Sequence, residues 1–259
     1  MVNKTFVFHS YKGGTGKTTI AANLAVFYAK RGKRVCILDF DFRAPSLHFM
    51  FGIKPKNGTW LNDFLNGKCN IADVLYEVNV RSDGKLAVGF ANPSSDAMWD
   101  ITRKERKWWA KILRHLLDTK RTLLRDSGFD YLVFDTSPGV QDSSMNALAV
   151  SDVVVLTLKG DELDVEGTKE LMRFHKKLGR RTSMVLNRIL FQPYEPVSSE
   201  QEESLLEKVH EEFEFPVLGI IPCFCDLLID GSHILYALEK PSHPFVKKIS
   251  AIANSIEKL

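Results

Sequence analysis

Residues 8–19 read FHSYKGGTGKTT. The apolar run 5–9 and the helical pattern of residues 18–31 place this stretch at a turn between a strand and a helix. Backbone N–H groups in such a turn, together with the dipole of the following helix, bind phosphate oxygens. The common phosphate loop, G-x-x-x-x-G-K-[ST], begins with glycine. Here that position is Tyr11, and a second lysine, Lys12, follows it. The stretch predicts a phosphate-binding loop with an additional ammonium group.

The residues of this loop have different expected contacts. Lys17 is expected to reach the β- and γ-phosphates of a nucleotide, and Thr18 to place its hydroxyl on Mg²⁺. Thr19 is expected to donate a hydrogen bond to an α-phosphate. Lys12 has two possible roles: it neutralises phosphate charge in the same site or in a facing subunit. The other residues of the predicted cradle are Gly13, Gly14, Thr15 and Gly16.

Composition excludes several classes of protein. The chain has 259 residues, 44% hydrophobic and 26% charged, which suits one domain over residues 1–259 with an ample core. No apolar run approaches the roughly 20 residues that cross a bilayer, and the N-terminus does not resemble a signal peptide. Four cysteines do not make a disulfide framework in a chain of this length, so we expect a cytoplasmic protein. The net charge of +3 does not by itself indicate nucleic acid.

Strand-like and helix-like segments alternate along the chain. Continuous Val, Ile and Leu runs, rather than alternation, are typical of strands covered on both faces. The predicted fold is α/β, a doubly wound, mainly parallel twisted sheet flanked by helices, with ligands bound at the carboxyl ends of the strands. The strand candidates are residues 5–9, 34–40, 86–90, 131–135, 153–158, 183–187 and 217–221.

The stretch KGGTGKTT (12–19) resembles the deviant Walker A motif, KGGxGK[ST]T, of the MinD/ParA family of P-loop ATPases in the SIMIBI class. The resemblance implies an ATP hydrolase that uses Mg²⁺ and forms a homodimer in its ATP state. It implies that Lys12 reaches across that dimer to the partner's phosphates and that a partner protein stimulates hydrolysis. The expected role is the positioning or partitioning of DNA or other cargo.

Carboxylates follow two of the predicted strands. In LDFDFRAPSL (38–47), Asp39 and Asp41 share one face because strand side chains alternate. YLVFDTSPGV (131–140) resembles the family's Walker B and switch II segment. The resemblance implies that Asp41 orients or activates the attacking water, making it catalytic with Lys12 and Lys17. It also implies that Asp39 and Asp135 hold Mg²⁺ through water, with Thr18 as a direct ligand.

The adenine site is predicted at two later strand ends. Asn187 ends the strand 183–187, and its side-chain amide offers a donor and an acceptor in one plane, which suits an adenine edge. The family uses an asparagine here. GIIPCF (219–224) resembles the family segment that closes over the base, which implies that Pro222 and Cys223 line the site.

Residues 101–125 form a strongly basic stretch, within a helical segment predicted at about 100–127. They hold nine Lys and Arg side chains against Glu105 and Asp118. On a single helix, an apolar face would lie opposite a basic face of Arg103, Lys107, Lys111, Arg114, Arg121 and Arg125. The predicted apolar face is Trp109, Ile112, Leu113, Leu116, Leu117, Leu123 and Leu124.

Such a basic face favours nonspecific DNA through residues 103–125 over an anionic membrane. A core-packed helix with a solvated basic face is the alternative. The last helix, 243–259, is expected to pack on the sheet through Phe245, Ile249, Ile252 and Ile256 rather than to anchor the chain in a membrane.

Two further hypotheses come from other residues. Cys223 and Cys225 form a C-x-C pair, and two such pairs in a dimer would bind one metal, as in a metal or iron–sulfur cluster carrier ATPase. LDFDFR (38–43) resembles a segment of bacterial tyrosine kinases, with Arg43 as its arginine. Those enzymes usually carry a C-terminal tyrosine cluster, whereas this chain has no tyrosine after Tyr236.

Overall fold

The structure is a computed structural model that describes residues 3–55, 58–159, 161–177, 181–189, 198–213, 215–231 and 234–259, and for Arg181–Ile189 the backbone alone. Within these residues, one sheet of eight strands has the order β3-β4-β2-β5-β1-β6-β7-β8. The strands are β1 Lys4–His9, β2 Arg34–Phe40, β3 Leu75–Val78, β4 Lys85–Gly89, β5 Tyr131–Thr136, β6 Val153–Leu158, β7 Arg181–Ile189 and β8 Val217–Pro222.

The helices alternate with the strands. Their bounds are α1 Lys17–Lys30, α2 Leu47–Phe51, α3 Leu61–Leu65, α4 Ser95–Thr102, α5 Arg106–Arg121, α6 Asp142–Val150, α7 Glu162–Lys177, α8 Ser199–Glu212, α9 Cys225–Ile229, α10 Tyr236–Glu239 and α11 Pro244–Glu257. None of the helices in the described ranges is both long and apolar enough to cross a lipid bilayer.

The predicted doubly wound, mainly parallel sheet is confirmed. Each neighbouring pair of strands is parallel except β3 and β4, which are antiparallel. β1 lies between β5 and β6, so the chain first builds the sheet to one side of β1 and then to the other. The edge strand β3 is absent from the sequence prediction, because it is four residues long and contains the exposed Glu77.

Both faces of the sheet are covered. Phe6 and Phe8 of β1 pack into one buried cluster with α1 and α11, whereas Val7 packs into the other with α5 and α6. This alternation explains why β1 reads as a continuous apolar run. The prediction for the last helix is confirmed, since the four residues named for its packing face are all buried: Phe245, Ile249, Ile252 and Ile256.

The basic stretch is not the single helix that its periodicity predicts. α4 ends at Thr102, and α5 begins at Arg106 after Glu105 adopts an extended conformation (φ −71°, ψ 158°). A π-helical turn, Thr122–Asp126, continues α5. Lys104 at the break pairs with Asp100 of α4 at 2.8 Å, a contact that stabilises the end of α4.

One residue of the predicted apolar face is misplaced. Leu117 is 42% exposed, because it lies three residues after Arg114 and four before Arg121 and therefore on the same side of the helix. The other residues of that face are buried or half-buried: Trp109, Ile112, Leu113, Leu116, Leu123 and Leu124. The residues predicted for the basic face are all exposed: Arg103, Lys107, Lys111, Arg114, Arg121 and Arg125.

Candidate nucleotide-binding site

The glycine-rich loop joins the carboxyl end of β1 to the amino end of α1. Gly14 and Gly16 have φ values of 72° and 86°, in the left-handed region that favours glycine. Gly16 is the N-cap of α1. Because it has no side chain, it accepts no hydrogen bond from the free N–H groups in the first turn of the helix. Those N–H groups point out of the helix end, where an anion would accept their hydrogen bonds.

The loop is held by contacts with the neighbouring strand ends. Ser10 Oγ donates to the Lys12 carbonyl at 2.7 Å, and Gly139 N donates to the Ser10 carbonyl at 2.9 Å. The hydroxyls of Thr15 and Thr157 are 2.9 Å apart and fully buried. Lys17 is only 6% exposed. These contacts give the loop a fixed shape, as expected of a preorganised phosphate cradle.

Tyr11 has a packing role that explains why this position is not glycine. Its ring lies against Gly167 of α7, where a Cβ on Gly167 would meet ring carbons 2.0–2.5 Å away. The loop and α7 therefore approach closely because one residue has a large ring and the other has no side chain.

Lys12 pairs with Asp161 of its own chain. Its Nζ lies 2.8 Å from Asp161 Oδ1, and the two side chains are 35% and 49% exposed. The same carboxylate oxygen accepts a hydrogen bond from the backbone N–H of Asp164 at 3.0 Å. The bond from Lys12 is the main cause of the lowered pKa of Asp161. Within one chain, Lys12 is thus held at the start of α7.

Asp39 and Asp135 lie side by side at the ends of β2 and β5, where they are partners in the parallel register. Both are 0% exposed. Burial, reinforced for Asp39 by the neighbouring carboxylates, raises the pKa of Asp39 well above its usual value and that of Asp135 to about 6. Lys17 and the Thr18 hydroxyl favour the ionised form of Asp135 and so place these three side chains together.

These carboxylates fit a divalent cation. Within the described residues, no hydrogen bond of ordinary length and angle reaches Asp39 Oδ2 or either oxygen of Asp135, and all three atoms are fully buried. The Thr18 hydroxyl is close to Asp135 but does not meet that geometry. Leaving charged oxygens buried and unpaired is costly, and a hard cation with oxygen ligands removes that cost. The residues that would hold Mg²⁺ are those named from the sequence: Thr18, Asp39 and Asp135.

Asp41 lies beside this pair and is 9% exposed. Its Oδ1 accepts hydrogen bonds from the Ser137 hydroxyl at 2.8 Å and from the backbone N–H groups of Arg43 at 3.3 Å and Ala44 at 3.1 Å. Its own N–H donates to Asp39 Oδ1 at 3.1 Å. The structure therefore brings Asp41 to the same strand ends as the phosphate loop.

A cavity of about 140 Å³ opens at the start of α1, next to the loop. Gly16 and Thr19 form one side of it, and Pro222 at the end of β8 forms another with Cys223, the next residue. Its position beside the cradle and its mixed apolar lining suit a nucleobase. Asn187 is described only as a backbone position in β7, paired with Ile221, so its predicted contact with adenine stays a prediction.

Three polar residues at this site were not predicted from the sequence. Ser137 binds Asp41, and Asp161 binds Lys12. Lys159 follows β6, and its Nζ lies 3.5 Å from where a Cβ on Gly14 would be. None belongs to a motif with a fixed spacing from the loop. Ser137 directly follows β5 and Lys159 directly follows β6, and these positions gave a signal, since strand ends meet at this edge.

Two buried histidines lie beneath the loop. His9 ends β1 and His175 lies on α7, with ring centroids 5.8 Å apart and no exposed surface. His9 Nδ1 is 2.9 Å from the Thr136 hydroxyl, whereas neither ring nitrogen of His175 has a hydrogen-bond partner among the residues that the structure describes. Burial lowers the pKa of His175 to about 4 and that of His9 well below its usual value. Both rings are therefore neutral at pH 7.

Replacing His175 by leucine is expected to flatten the pH dependence of stability. The unfolded chain binds a proton at this histidine below about pH 6.5 but the folded chain only below about pH 4, so stability falls as pH decreases through that window. Between pH 7.5 and 4.5 the variant should lose roughly 2–3 kcal/mol less free energy of unfolding than the parent. Urea unfolding at both pH values measures this, with the exposed His210→Gln as control. Equal losses in parent and His175→Leu would contradict the assignment.

Among the described residues, no other metal-binding side chains are grouped with Cys223 and Cys225 to form a metal site. Cys36, Cys69, Cys223 and Cys225 are free. In the ranges that the structure covers, no group of three or more His, Cys, Asp and Glu residues is arranged to hold a metal ion. His233 lies outside the described residues. A metal shared between two chains through Cys223 and Cys225 stays a prediction.

A mainly parallel sheet with a glycine loop at the central strand, a buried lysine and unpaired carboxylates at adjacent strand ends defines a P-loop nucleotide-binding protein. The family model described as an AAA domain matches residues 3–188. The chain belongs to the MinD/ParA family of P-loop ATPases.

Several known proteins are similar to this chain over most of its length. An uncharacterised ATP-binding protein of Methanocaldococcus jannaschii is 29% identical, over 82% of this chain and 72% of its own. The chromosome-partitioning ATPase Soj of Treponema pallidum is 28% identical, over 75% and 73%. The fold is similar to that of the septum site-determining protein MinD of Pyrococcus horikoshii complexed with Mg-ADP, with a TM-score of 0.78, 21% identity and coverage of 98% and 96%.

Proposed function

We propose that this protein is a Mg²⁺-dependent ATPase that hydrolyses ATP to ADP and phosphate and dimerises in its ATP state. The observation that carries the proposal is the convergence of Lys17, Thr18, Asp135 and Asp41 on one glycine-rich cradle. The Mg-ADP in the Pyrococcus MinD structure supports the same cofactors here, ATP and Mg²⁺.

Each residue has a distinct proposed role. The loop amides and Lys17 bind the phosphates, and Thr19 donates to the α-phosphate. Thr18, Asp39 and Asp135 hold Mg²⁺, which supplies charge neutralisation of the phosphates. Asp41 orients the attacking water through its carboxylate. Asn187 and Pro222 contact the adenine.

The surface around the loop supports a dimer in which the bound nucleotides lie between the two chains. Val140, directly after Gly139, is 64% exposed, and Leu163 in the first turn of α7 is 74% exposed. Tyr11, in the loop itself, is 43% exposed. Three large apolar side chains around a polar site are typical of a surface that a partner covers. A second copy placed there brings each Lys12 near the facing nucleotide.

We also propose that the ATP dimer binds DNA nonspecifically through residues 103–125, hereafter the basic surface. Three of its nine cationic side chains form ion pairs. Lys104 pairs with Asp100 and Lys120 with Asp152, and Arg121 lies 3.5 Å from Asp118. The others make no ion pair within the described residues and are exposed: Arg103, Arg106, Lys107, Lys111, Arg114 and Arg125. The partitioning role named for the Treponema relative favours DNA over an anionic membrane.

The geometry of the basic surface suits a phosphate backbone. α5 has 16 residues and is therefore about 24 Å long. Lys107, Arg114 and Arg121 recur every seven residues and so form a stripe along its solvent side. The opposite side is fixed to α6, where Asn146 Nδ2 donates to the Trp109 carbonyl at 2.8 Å. A rigid, cationic stripe of this length would contact several phosphates.

Replacing Lys107, Lys111 and Arg114 by alanine is expected to weaken DNA binding by about 10–100-fold at low salt. Because each lost phosphate contact removes roughly 0.9 from the slope of log affinity against log salt, that slope should fall by about 2–3. Fluorescence anisotropy with a nonspecific duplex, in Mg-ATP and in Mg-ADP at two salt concentrations, measures both. The control with an equal charge change is Lys85, Lys247 and Lys258 replaced by alanine, all exposed elsewhere.

The result separates the alternatives. Tight, salt-dependent binding in Mg-ATP alone, lost in the first variant and kept in the control, supports the proposal. Absence of DNA binding by the unaltered protein in either nucleotide would contradict it. Binding to vesicles containing anionic lipid instead would identify a membrane surface.

We place the protein in the cytoplasm, consistent with its four free cysteines. A stimulating partner protein is part of the proposal, because a switch of this kind needs a signal for hydrolysis. A metal or iron–sulfur carrier remains the alternative, and iron or zinc in freshly purified protein would support it.

A further inference from the structure

We propose that Ser137 is a positioning residue for ATP hydrolysis, which holds the Asp41 carboxylate so that its Oδ2 alone is available to the attacking water. This inference rests on the proposed function, since it assigns a role within the same reaction. Ser137 touches Asp41 and acts through it.

The hydrogen bonds of Asp41 are unevenly divided between its two oxygens. Oδ1 accepts all three contacts, from the Ser137 hydroxyl at 2.8 Å and from the backbone N–H groups of Arg43 and Ala44 at 3.3 and 3.1 Å. Oδ2 has no hydrogen-bond partner in the described part of the chain, yet it is not among the fully buried unpaired atoms. One oxygen is therefore occupied, whereas the other is left without a hydrogen bond from the described residues.

The Ser137 bond differs in kind from the two backbone contacts. The shortest of the three, it comes from a hydroxyl on the loop that follows β5, whereas Arg43 and Ala44 belong to the same turn as Asp41. A turn can move as a unit with its carboxylate. The Ser137 bond instead ties Asp41 to a different strand end and so fixes its position relative to the Mg²⁺ ligand Asp135, two residues before Ser137.

Ser137 is itself firmly held. It is 1% exposed, and its carbonyl accepts a hydrogen bond from the Ser144 hydroxyl of α6 at 2.9 Å. Gly139, two residues after Ser137, donates its N–H to the carbonyl of Ser10, next to the phosphate loop. The hydroxyl of Ser137 is thus a fixed donor between the phosphate loop and α6, which is the requirement for a group that orients another.

A hydrogen bond to a charged group is stronger than one between neutral groups, so its loss should be visible in the rate. Ser137→Ala leaves the two backbone contacts of Asp41 in place but removes the link to β5. The carboxylate should then populate orientations that do not face the water. Since Ser137 touches neither the adenine cavity nor the loop amides, ATP affinity should be little changed.

The test compares Ser137→Ala, Ser137→Thr and Ser151→Ala in steady-state phosphate release and in ATP binding by titration calorimetry. Ser137→Ala should lower kcat about 10–100-fold while KM and the ATP dissociation constant change less than about threefold. Threonine keeps the hydroxyl and should restore most of kcat. Ser151→Ala removes a buried serine hydrogen bond, to the Ala147 carbonyl at 2.7 Å, that is not among the contacts that hold Ser137. This variant should keep kcat within about threefold.

Several results would overturn the inference. An unchanged kcat in Ser137→Ala, or equal losses in Ser137→Ala and Ser151→Ala, would show that the bond does not position Asp41. A parallel loss of ATP binding in Ser137→Ala would show a structural role instead. Failure of the unaltered protein to hydrolyse ATP would contradict the proposed function as well, whereas the first results leave that function intact. Thermal unfolding of each variant confirms that it folds.

Discussion

Asp41→Ala is expected to lower the rate constant for ATP hydrolysis by about 10²–10⁴-fold, the usual contribution of a group that positions or deprotonates the attacking nucleophile. Asp41 lies beside Asp39 and Asp135, the carboxylates proposed to hold Mg²⁺, and its backbone keeps its hydrogen bond to Asp39 in the variant. ATP binding should therefore persist. Phosphate release with saturating Mg-ATP, with an EDTA blank to remove the metal, measures the rate constant.

The control for this variant is Asp118→Ala on α5, whose exposed carboxylate pairs, in the described part of the chain, with Arg121 alone, at 3.5 Å. It removes the same group at a distance from the phosphate loop and should hydrolyse ATP at the parent rate. A rate in Asp41→Ala within about threefold of the parent would exclude Asp41 as the residue that orients the water.

Lys12→Ala is expected to weaken the ATP-dependent dimer by at least about 30-fold. Losing one partner of a buried, hydrogen-bonded charge pair at an interface costs about 2–5 kcal/mol, and each 1.4 kcal/mol is tenfold in affinity. The loss should fall on dimerisation, because Lys17 and the loop amides still bind the nucleotide within one chain. Sedimentation velocity over a range of concentrations, with ATP present and hydrolysis blocked by Asp41→Ala, measures the dimer dissociation constant.

Asp161→Asn provides the matched comparison for Lys12. It keeps an acceptor for the Asp164 N–H at the start of α7 but removes the charge that holds Lys12 in its own chain. Freed from this pair, Lys12 should reach a partner at least as readily, so the dimer should be as strong as the parent's or stronger. If Lys12→Ala dimerises like the parent, the lysine does not cross the interface.

Local signals made the phosphate loop predictable from the sequence. Gly14 and Gly16 mark positions of positive φ, and Lys17 and Thr18 follow at fixed spacing. The pairing of Asp39 with Asp135 followed from a general rule, since the carboxyl ends of parallel strands meet at one edge of the sheet. These features depend on residues close in sequence or on the direction of the strands.

Contacts between distant segments were not predictable in this way. The bond from Ser137 to Asp41 spans 96 residues, and that from Lys12 to Asp161 spans 149. Neither polar pair has a periodicity that would reveal it. The break between α4 and α5 also lacks a local signal, because Arg103, Lys104 and Glu105 are all good helix formers.

The central claim, that ATP joins two chains, is tested most directly by the mass of Asp41→Ala in solution, measured by light scattering with Mg-ATP and with Mg-ADP. One chain has a mass of 29.4 kDa. The account predicts twice this mass in Mg-ATP and the single-chain mass in Mg-ADP. The single-chain mass in both nucleotides, with ATP shown to be bound, would contradict it.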